Sequence, residues 1–397
     1  MIDNTPMTNR QQSLEGDDQY YNGRAFGDKI SKQKDRNVIR IMFQNLDGFG
    51  YSAIDKKSEM VKEFIIDYDI DAMLMAELNV NWERMSRKNT LSQIARRWFE
   101  NVKVSNSYNT HRKSIGKWLP GGTATLIQGP LSFRTNKPDI DSRYMGRWAS
   151  QTITGKHGLT TRVVSVYVPQ PKRQYGEKKV HQQQQEALLK IGISGSVLDV
   201  FWADFWSAID EWIENGEQLI IGGDWNTNTT CNKFLEPFKS RNLVPCVQSR
   251  HGLELPATHN NGKDPIDEIF ISNTLTLTSS GYLEHGHNTS DHRVVWIEVS
   301  KISSIGTNLP KLTSFQARRL KCKDPRVVDR YNKLVDRQCK KNNLFQKAFD
   351  LYNNFSSPMS ELQKSEYEKI DRLKTEAMNF AEANCRKIKV GGYQWSP

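Results

Sequence analysis

Residues 218–226 read QLIIGGDWN: an apolar run, two glycines, then an aspartate and an asparagine. The run predicts a buried strand that stops where ionisable residues begin. The same texture recurs on both sides of it. VIRIMF from Val38 stops at Gln44 and Asn45, DAMLMA (71–76) stops at Glu77, and TTRVVSVYVP (160–169) carries Tyr167 near its end. Further on, IDEIFIS (266–272) holds Asp267 at its start, and HRVVWIEVS (292–300) follows Asp291. GGTATLIQG (121–129) and ASQTITG (149–155) read as strands bounded by glycine or proline, while 54–67, 90–99 and 178–214 have helical spacing, the last interrupted by ISGS at 193–196. Strands dominate, helices are interspersed, and no repeat period is present. A single Asn or Asp after a strand is ordinary turn chemistry. A succession of them puts reactive side chains on loops at one rim of a sheet.

The collected groups are carboxylates, side-chain amides, one phenol and one imidazole, with no thiol. Hard oxygen donors of this kind favour Mg²⁺ or Mn²⁺ over zinc. Metal-assisted attack on a phosphate ester needs a cation at a nonbridging oxygen, a base near a water, and donors for the developing charge, and this set contains candidates for all three. A Ser/His/Asp triad is disfavoured because Ser290, Asp291 and His292 are neighbours in sequence. Gly222-Gly223 do not extend to GxGxxG, and no P-loop is present.

In order along the chain, QNLDG (44–48), AEL with Glu77, GGTA (121–124), VYVPQ with Tyr167, GGDWN (222–226), AT with Thr258, PIDEIF with Asp267, and SDHR (290–293) resemble the successive motifs of the endonuclease/exonuclease/phosphatase superfamily. The resemblance covers about 38–300. It implies a four-layered α/β sandwich, two mainly antiparallel β-sheets flanked by helices. It further implies that Glu77 is the principal metal-ligating carboxylate, Asn45 the amide that steadies metal and base, and Asp47 an additional ligand. Asp224 resembles the carboxylate that orients or deprotonates the attacking water, Asn226 the amide that grips the phosphate, and Tyr167 the phenol that contacts it. His292 resembles the imidazole on the scissile phosphate, held by Asp267, with Asp291 as a further ligand or its support. Thr258 is assigned to the nucleic-acid contact. His259 stays open between loop packing and substrate contact, and Tyr167 has the alternative of being a core aromatic.

Within the superfamily, YVP around Tyr167 resembles the AP endonuclease and retrotransposon branch rather than that of deoxyribonuclease I. AP endonucleases of the exonuclease III type carry an aromatic three residues before the position of Asp267, where this chain has Asp264. PIDEI also departs from inositol-polyphosphate phosphatases, and the sequence before it lacks the export signal of secreted sphingomyelinase-like enzymes. The reading is therefore a Mg²⁺- or Mn²⁺-dependent nuclease acting on DNA, with RNA as an alternative. A retrotransposon-like nicking endonuclease leaving a 3′-hydroxyl fits best. An AP endonuclease, a single-strand exonuclease or deadenylase, and an idle nucleic-acid-binding remnant are the competing readings.

Composition sets the frame. The 397 residues are 37% hydrophobic and 25% charged, enough apolar mass for a globular core. No apolar run approaches the ~18 residues of a membrane span, and residues 1–20 lack a signal-peptide pattern, so an intracellular address is expected, with the nucleus open. The five cysteines never fall in a CxxC spacing, which fits free thiols. The net charge of +11 is uneven: residues 1–300 hold 36 basic and 35 acidic side chains, residues 301–397 hold 20 and 10. This points to a polyanion partner for the C-terminal part, nucleic acid first and an anionic membrane second, with a solvated charged helical surface as the alternative that composition leaves open. Arg318, Arg319, Lys321 and Lys323 are its candidate contacts. No membrane and no obligate protein partner is expected for the catalytic part. The domain expectation is a disordered polar arm over 1–36, the catalytic domain over 37–300, and a basic, mainly helical extension over 301–397, which resembles the linker after the nuclease in retroelement polyproteins.

Overall fold

The computed structural model describes residues 24–50, 56–112, 116–136, 138–170, 180–287, 290–307, 320–321 and 323–386. It divides into two compact units, Met1–Pro310 and Lys311–Pro397. The first contains, in order, β1 (Phe26–Gly27), β2 (Val38–Asn45), α1 (Lys56–Asp67), β3 (Ala72–Ala76), α2 (Leu91–Trp98), β4 (Val102–Ser107), β5 (Thr123–Gln128), β6 (Asp139–Ile140), β7 (Trp148–Thr154) and β8 (Thr160–Tyr167). There follow α3 (Val180–Lys190), α4 (Val197–Glu214), β9 (Gln218–Asp224), α5 (Asn232–Lys239), β10 (Leu243–Pro245), α6 (Cys246–His251), β11 (Asp267–Ser272), β12 (Leu277–Tyr282), β13 (Val295–Ser300) and α7 (Lys301–Ile305).

Two sheets result, in the orders β1-β12-β13-β2-β3-β5-β4 and β10-β11-β9-β8-β7-β6. Only β2/β3 and β8/β9 pair in parallel among the described strands. The alternation of side chains explains the layers. Ile39, Ile41 and Phe43 of β2 point into a shared core with Val163, Ile220 and Ile269 of the second sheet. Met42 points the other way, onto Val61, Phe64 and Ile65 of α1 and onto α2. On the far side, Phe201, Phe205, Ile209 and Trp212 of α4 cover Val164, Val166, Leu219 and Ile221. Both faces of each central strand are covered, which is why those strands read as unbroken apolar runs. Trp148 and the Trp-rich stretch of α4 lie in this last layer as packing residues. Gly222 is required by the close approach of the sheets: a Cβ there would sit 2.8 Å from Leu74 Cδ1 and 3.0 Å from Phe43 Cβ. The helical interruption at 193–196 is a new start, with Ser196 Oγ accepting from Asp199 N at the head of α4.

Two boundaries differ from the sequence expectation. Residues 24–36 are held against the domain, whereas 1–23 lie outside the described residues. β1 pairs with β12, Asp28 accepts from Ser280 N at 3.0 Å, and Lys34 Nζ pairs with Asp69 at 2.7 Å. Backbone pairing, ion pairs and the packing of Phe26 and Ile30 against the two cores hold this segment, whose polar composition hides those two contacts. At the other end, α7 belongs to the first unit: Thr161 Oγ1 donates to Ser304 O at 2.6 Å and Lys156 N to Ile305 O at 2.9 Å.

The second unit is helical, with α8 (Pro325–Lys341), α9 (Leu344–Asn353) and α10 (Glu361–Ala383). They enclose a small core of Cys339, Leu344 and Ala377 with Val335, Ile370 and Leu373. No described helix is long and apolar enough to cross a membrane.

Candidate active site

Strand direction brings the sequence candidates together. β2 and β3 run in parallel and end side by side at Asn45 and Ala76, so Glu77 follows at the rim. β8 and β9 also run in parallel, and their last residues, Tyr167 and Asp224, are register partners. β11 returns antiparallel, placing its first residue, Asp267, opposite Asp224. His292 lies just before β13, which pairs antiparallel with β2. Six distant segments thus deliver their polar ends to one edge of the sandwich. The cleft there has a volume of about 410 Å³, and Asp47, Glu77, Tyr167, Asp224, Asn226, Asp291 and His292 are among its walls.

The backbone is bent to serve that rim. Asp47, Glu77 and Asn226 all have positive φ, at 45°, 49° and 50°. Such a conformation is uncommon for Glu and concentrates at functional sites. Gly48 N donates to Glu77 O at 2.7 Å, tying the two neighbouring turns together.

Hydrogen bonds fix the side chains. Asn45 Nδ2 donates to Asp224 Oδ2 at 2.8 Å, and Asp224 Oδ1 accepts from Asn226 N at 3.1 Å. Asn226 Nδ2 donates to Val168 O at 2.7 Å. The Tyr167 hydroxyl bonds to Glu77 and Asn226. His292 Nδ1 meets Asp267 Oδ2 at 2.8 Å, and its Nε2 points toward Asp224 Oδ2 at 4.0 Å.

The electrostatics follow from burial. Asp224, 1% exposed, has its pKa raised to about 8 by desolvation and by the Asp267 and Glu77 carboxylates, against the pull of His292 and Asn45. Burial alone would lower His292, but Asp267, bonded to it, with Asp224 and Asp291 behind, raises it to about 10. Its imidazole is held as a cation at neutral pH. Glu77 is raised by burial and by Asp47, against Tyr167, His292 and Asn45. Burial, with Glu77 and Asp224 beside it, pushes Tyr167 far up, so it remains a neutral phenol.

Glu77 also provides the test of whether a divalent cation fits. Its carboxylate lines the cleft, where burial and the Asp47 carboxylate oppose its charge and the His292 imidazolium favours it. Glu77 and Asp47 line the cleft and, with the Asn45 amide, offer oxygen donors of the kind that suits Mg²⁺ or Mn²⁺. Two groups have ligand atoms within 4.8 Å of one another: Asp291, His259 and His292, and Asp224, Asp267 and His292.

Several residues behave differently from expectation. Thr258 is fully buried, and its Oγ1 accepts from Ile266 N at 2.9 Å and Asp267 N at 3.1 Å. A side chain with no exposed surface cannot meet a nucleic acid, so Thr258 positions Asp267 instead. Tyr167 faces the cleft and also belongs to the inter-sheet core, so both of its readings hold in part. His259 lines the cleft: its Nδ1 accepts from Asn261 N at 3.1 Å and its Nε2 meets Asp291 Oδ2 at 3.1 Å. With Nδ1 accepting, Nε2 is the donor, and Asp291 is steered by this imidazole. Ser290 Oγ donates to Asn45 O at 2.5 Å and accepts from His292 N at 3.0 Å, a cross-link between motifs that only the SDHR pattern hinted at. Gln44 Nε2 donates to His292 O at 3.0 Å, with no signal beyond its place in QNLDG. Lys321 and Lys323 lie before α8 in the second unit, and Arg318 and Arg319 lie outside the described residues.

The chain belongs to the endonuclease/exonuclease/phosphatase family, whose sequence model matches residues 42–292, the span from β2 to His292. Family members are hydrolytic nucleases and phosphatases that generally use divalent metals. Among solved structures the chain is similar to the catalytic domain of Xenopus laevis APE2 (16% identity, TM-score 0.46, covering 66% of this chain and 92% of that one). It is also similar to the AP endonuclease LMAP from Leishmania major (12%, 0.49, 73% and 96%) and to the human nocturnin catalytic domain with bound sulfate (17%, 0.43, 66% and 93%). No curated protein matches it.

Proposed function

We propose that this chain is a Mg²⁺- or Mn²⁺-dependent phosphodiesterase that nicks DNA and leaves a 3′-hydroxyl, most similar in design to the endonucleases of non-LTR retrotransposons. The observation that carries the reading is the convergence of Glu77, Asp224 and the Asp267–His292 pair on one cleft.

Glu77, with Asp47 and the Asn45 amide, would hold the cation, which supplies positive charge to the phosphate when bound. Asp224 is placed to take a proton from the attacking water in its ionised form, which burial and the neighbouring carboxylates oppose and which the His292 cation and the Asn45 amide favour. Asn45 and the Asn226 N–H fix the orientation of that carboxylate. His292, kept cationic by Asp267, faces the same cleft and stabilises negative charge developing on the phosphate. Tyr167 and Asn226 offer further polar contacts to it. Water forms the new P–O bond and gives a proton to Asp224, the P–O3′ bond breaks, and the 3′-oxygen takes a proton from solvent to leave as the hydroxyl.

DNA is favoured over other phosphodiesters by the basic balance beyond residue 300. An abasic pocket is disfavoured by Asp264, a carboxylate in the cleft wall that accepts from Asn228 Nδ2 at 2.8 Å. The decisive experiment is conversion of supercoiled plasmid to open circles with Mg²⁺ and with EDTA, run beside an abasic duplex, a single-stranded oligonucleotide and a phosphoinositide. Metal-dependent nicking of intact plasmid supports the reading. Preference for one of the other substrates, or turnover that EDTA leaves intact, overturns it.

A further inference from the structure

The second unit carries a feature that the cleft chemistry does not use. On α8, Arg326, Arg330, Lys333, Arg337 and Lys340 recur at alternating steps of four and three residues, and all five are exposed. That spacing keeps them on one face of the helix, on the order of 80° wide. The buried residues of α8, Val327 and Cys339, lie on other faces of the helix. At 1.5 Å per residue the row is about 21 Å long, and Lys341 extends it. Asp329 and Asp336 flank it and pair with Lys333 at 2.8 Å and Lys340 at 2.6 Å, and Asp324 pairs with Arg326 at 3.2 Å. Arg330, Arg337 and Lys341 have no ion-pair partner among the described residues. The cations therefore outnumber their partners along the whole row.

We propose that this face of α8 is a second, non-catalytic docking surface for the sugar-phosphate backbone of duplex DNA. The identity of the partner rests on the nuclease reading above; the surface itself rests on the row. Phosphates of one strand recur every 3.4 Å along the duplex axis, so a row of this length faces about six of them. The row contains no large apolar side chain. A helix that binds in a membrane interface needs an apolar face for the acyl boundary, and that of α8 is used inside its own bundle. The core of a protein interface is depleted in lysine and rich in aromatics, the opposite of this composition. The contacts are backbone contacts and confer no sequence preference.

The test uses the full chain and a 30-base-pair duplex, with binding followed by fluorescence anisotropy across a KCl series in EDTA, so that no cleavage occurs. Neutralising the unpaired cations in Arg330→Gln/Arg337→Gln/Lys341→Gln reduces the slope of log affinity against log salt by about 2.7. A control of equal charge change, Lys369→Gln/Arg372→Gln/Lys374→Gln on α10, leaves the slope near its starting value. Equal effects of the two triples would overturn the proposal, since diffuse charge would then explain the binding. An unaltered slope in the α8 triple would overturn it as well. So would binding to phosphatidylserine vesicles that the α8 triple abolishes while DNA binding persists. A chain that nicks plasmid but shows one of these outcomes refutes the docking surface alone. A chain that binds through α8 but fails to nick refutes the catalytic reading alone.

Discussion

The rim of the sandwich and the face of α8 are both built from charged residues, yet they use charge in opposite ways. At the rim, Asp224, Asp267 and His292 are buried, Asp224 bonded to Asn45 and His292 to Asp267, and the proton affinities of Asp224 and His292 are displaced by their neighbours. Along α8 the cations are exposed, and their pairs are with carboxylates of the same helix or its cap. A low local dielectric makes each rim charge depend on its partners, whereas water screens each helix charge. Rim residues should accordingly fail singly and severely, and helix residues only in sum.

The largest expected effect is at the rim. Asp224→Asn or His292→Ala should lower plasmid nicking by ~10³-fold or more while DNA affinity stays within a few-fold. Measuring both quantities on the same protein checks this; undiminished nicking would remove the contrast altogether.

A second expectation concerns Glu268, buried beside the rim, with its carboxylate accepting from Val247 N, Gln248 N and Ile269 N. Burial raises its pKa to about 7, with those bonds opposing the rise. The folded state therefore binds the proton more tightly than the unfolded chain. This stability is fully present below the ordinary value of 4.5 and is lost as pH rises to about 7, a change on the order of 3 kcal/mol. Denaturant titrations across that range should show the decline, and Glu268→Gln should flatten it.

Gly222→Ala comes next. The added methyl meets Leu74 and Phe43 of the opposite sheet, and overpacking of this kind costs ~1–3 kcal/mol. A shift in the unfolding midpoint reads it directly; a neutral result would mean that the two sheets can part to admit a side chain.

The smallest effect is expected on α8. Lys333→Ala breaks an exposed pair with Asp329 and should alter stability by less than ~0.5 kcal/mol. A larger loss in thermal unfolding would show that the helix charges are coupled as the rim charges are.

The sequence displayed its apolar strands with their polar ends, and the rim residues were legible for that reason: a strand covered on both faces is apolar throughout, so a Glu or Asp at its end stands out. β12, LTSSGY, has no such contrast, and it went unread together with β1, which pairs with it. Thr258 was visible in its motif, but its burial was not, because only the fold surrounds it with backbone. His259 could be placed beside Thr258, yet its bond to Asp291 joins residues 32 apart and depends on two loops meeting.

What the amino-acid order determined by itself is local: the apolar runs of the strands, the helical interruption at 193–196, the spacing of the basic residues along α8, and the kinds of donor available for chemistry. What tertiary structure alone decided is convergence. The parallel pairs β2/β3 and β8/β9 end at one edge, β11 begins there, and only that arrangement sets Asp224 among Asn45, Asp267 and His292. The physical reason is range: side-chain periodicity is fixed by neighbours a few bonds away, while proton affinity and ligand geometry are fixed by groups that the chain brings together from nearly 250 residues apart.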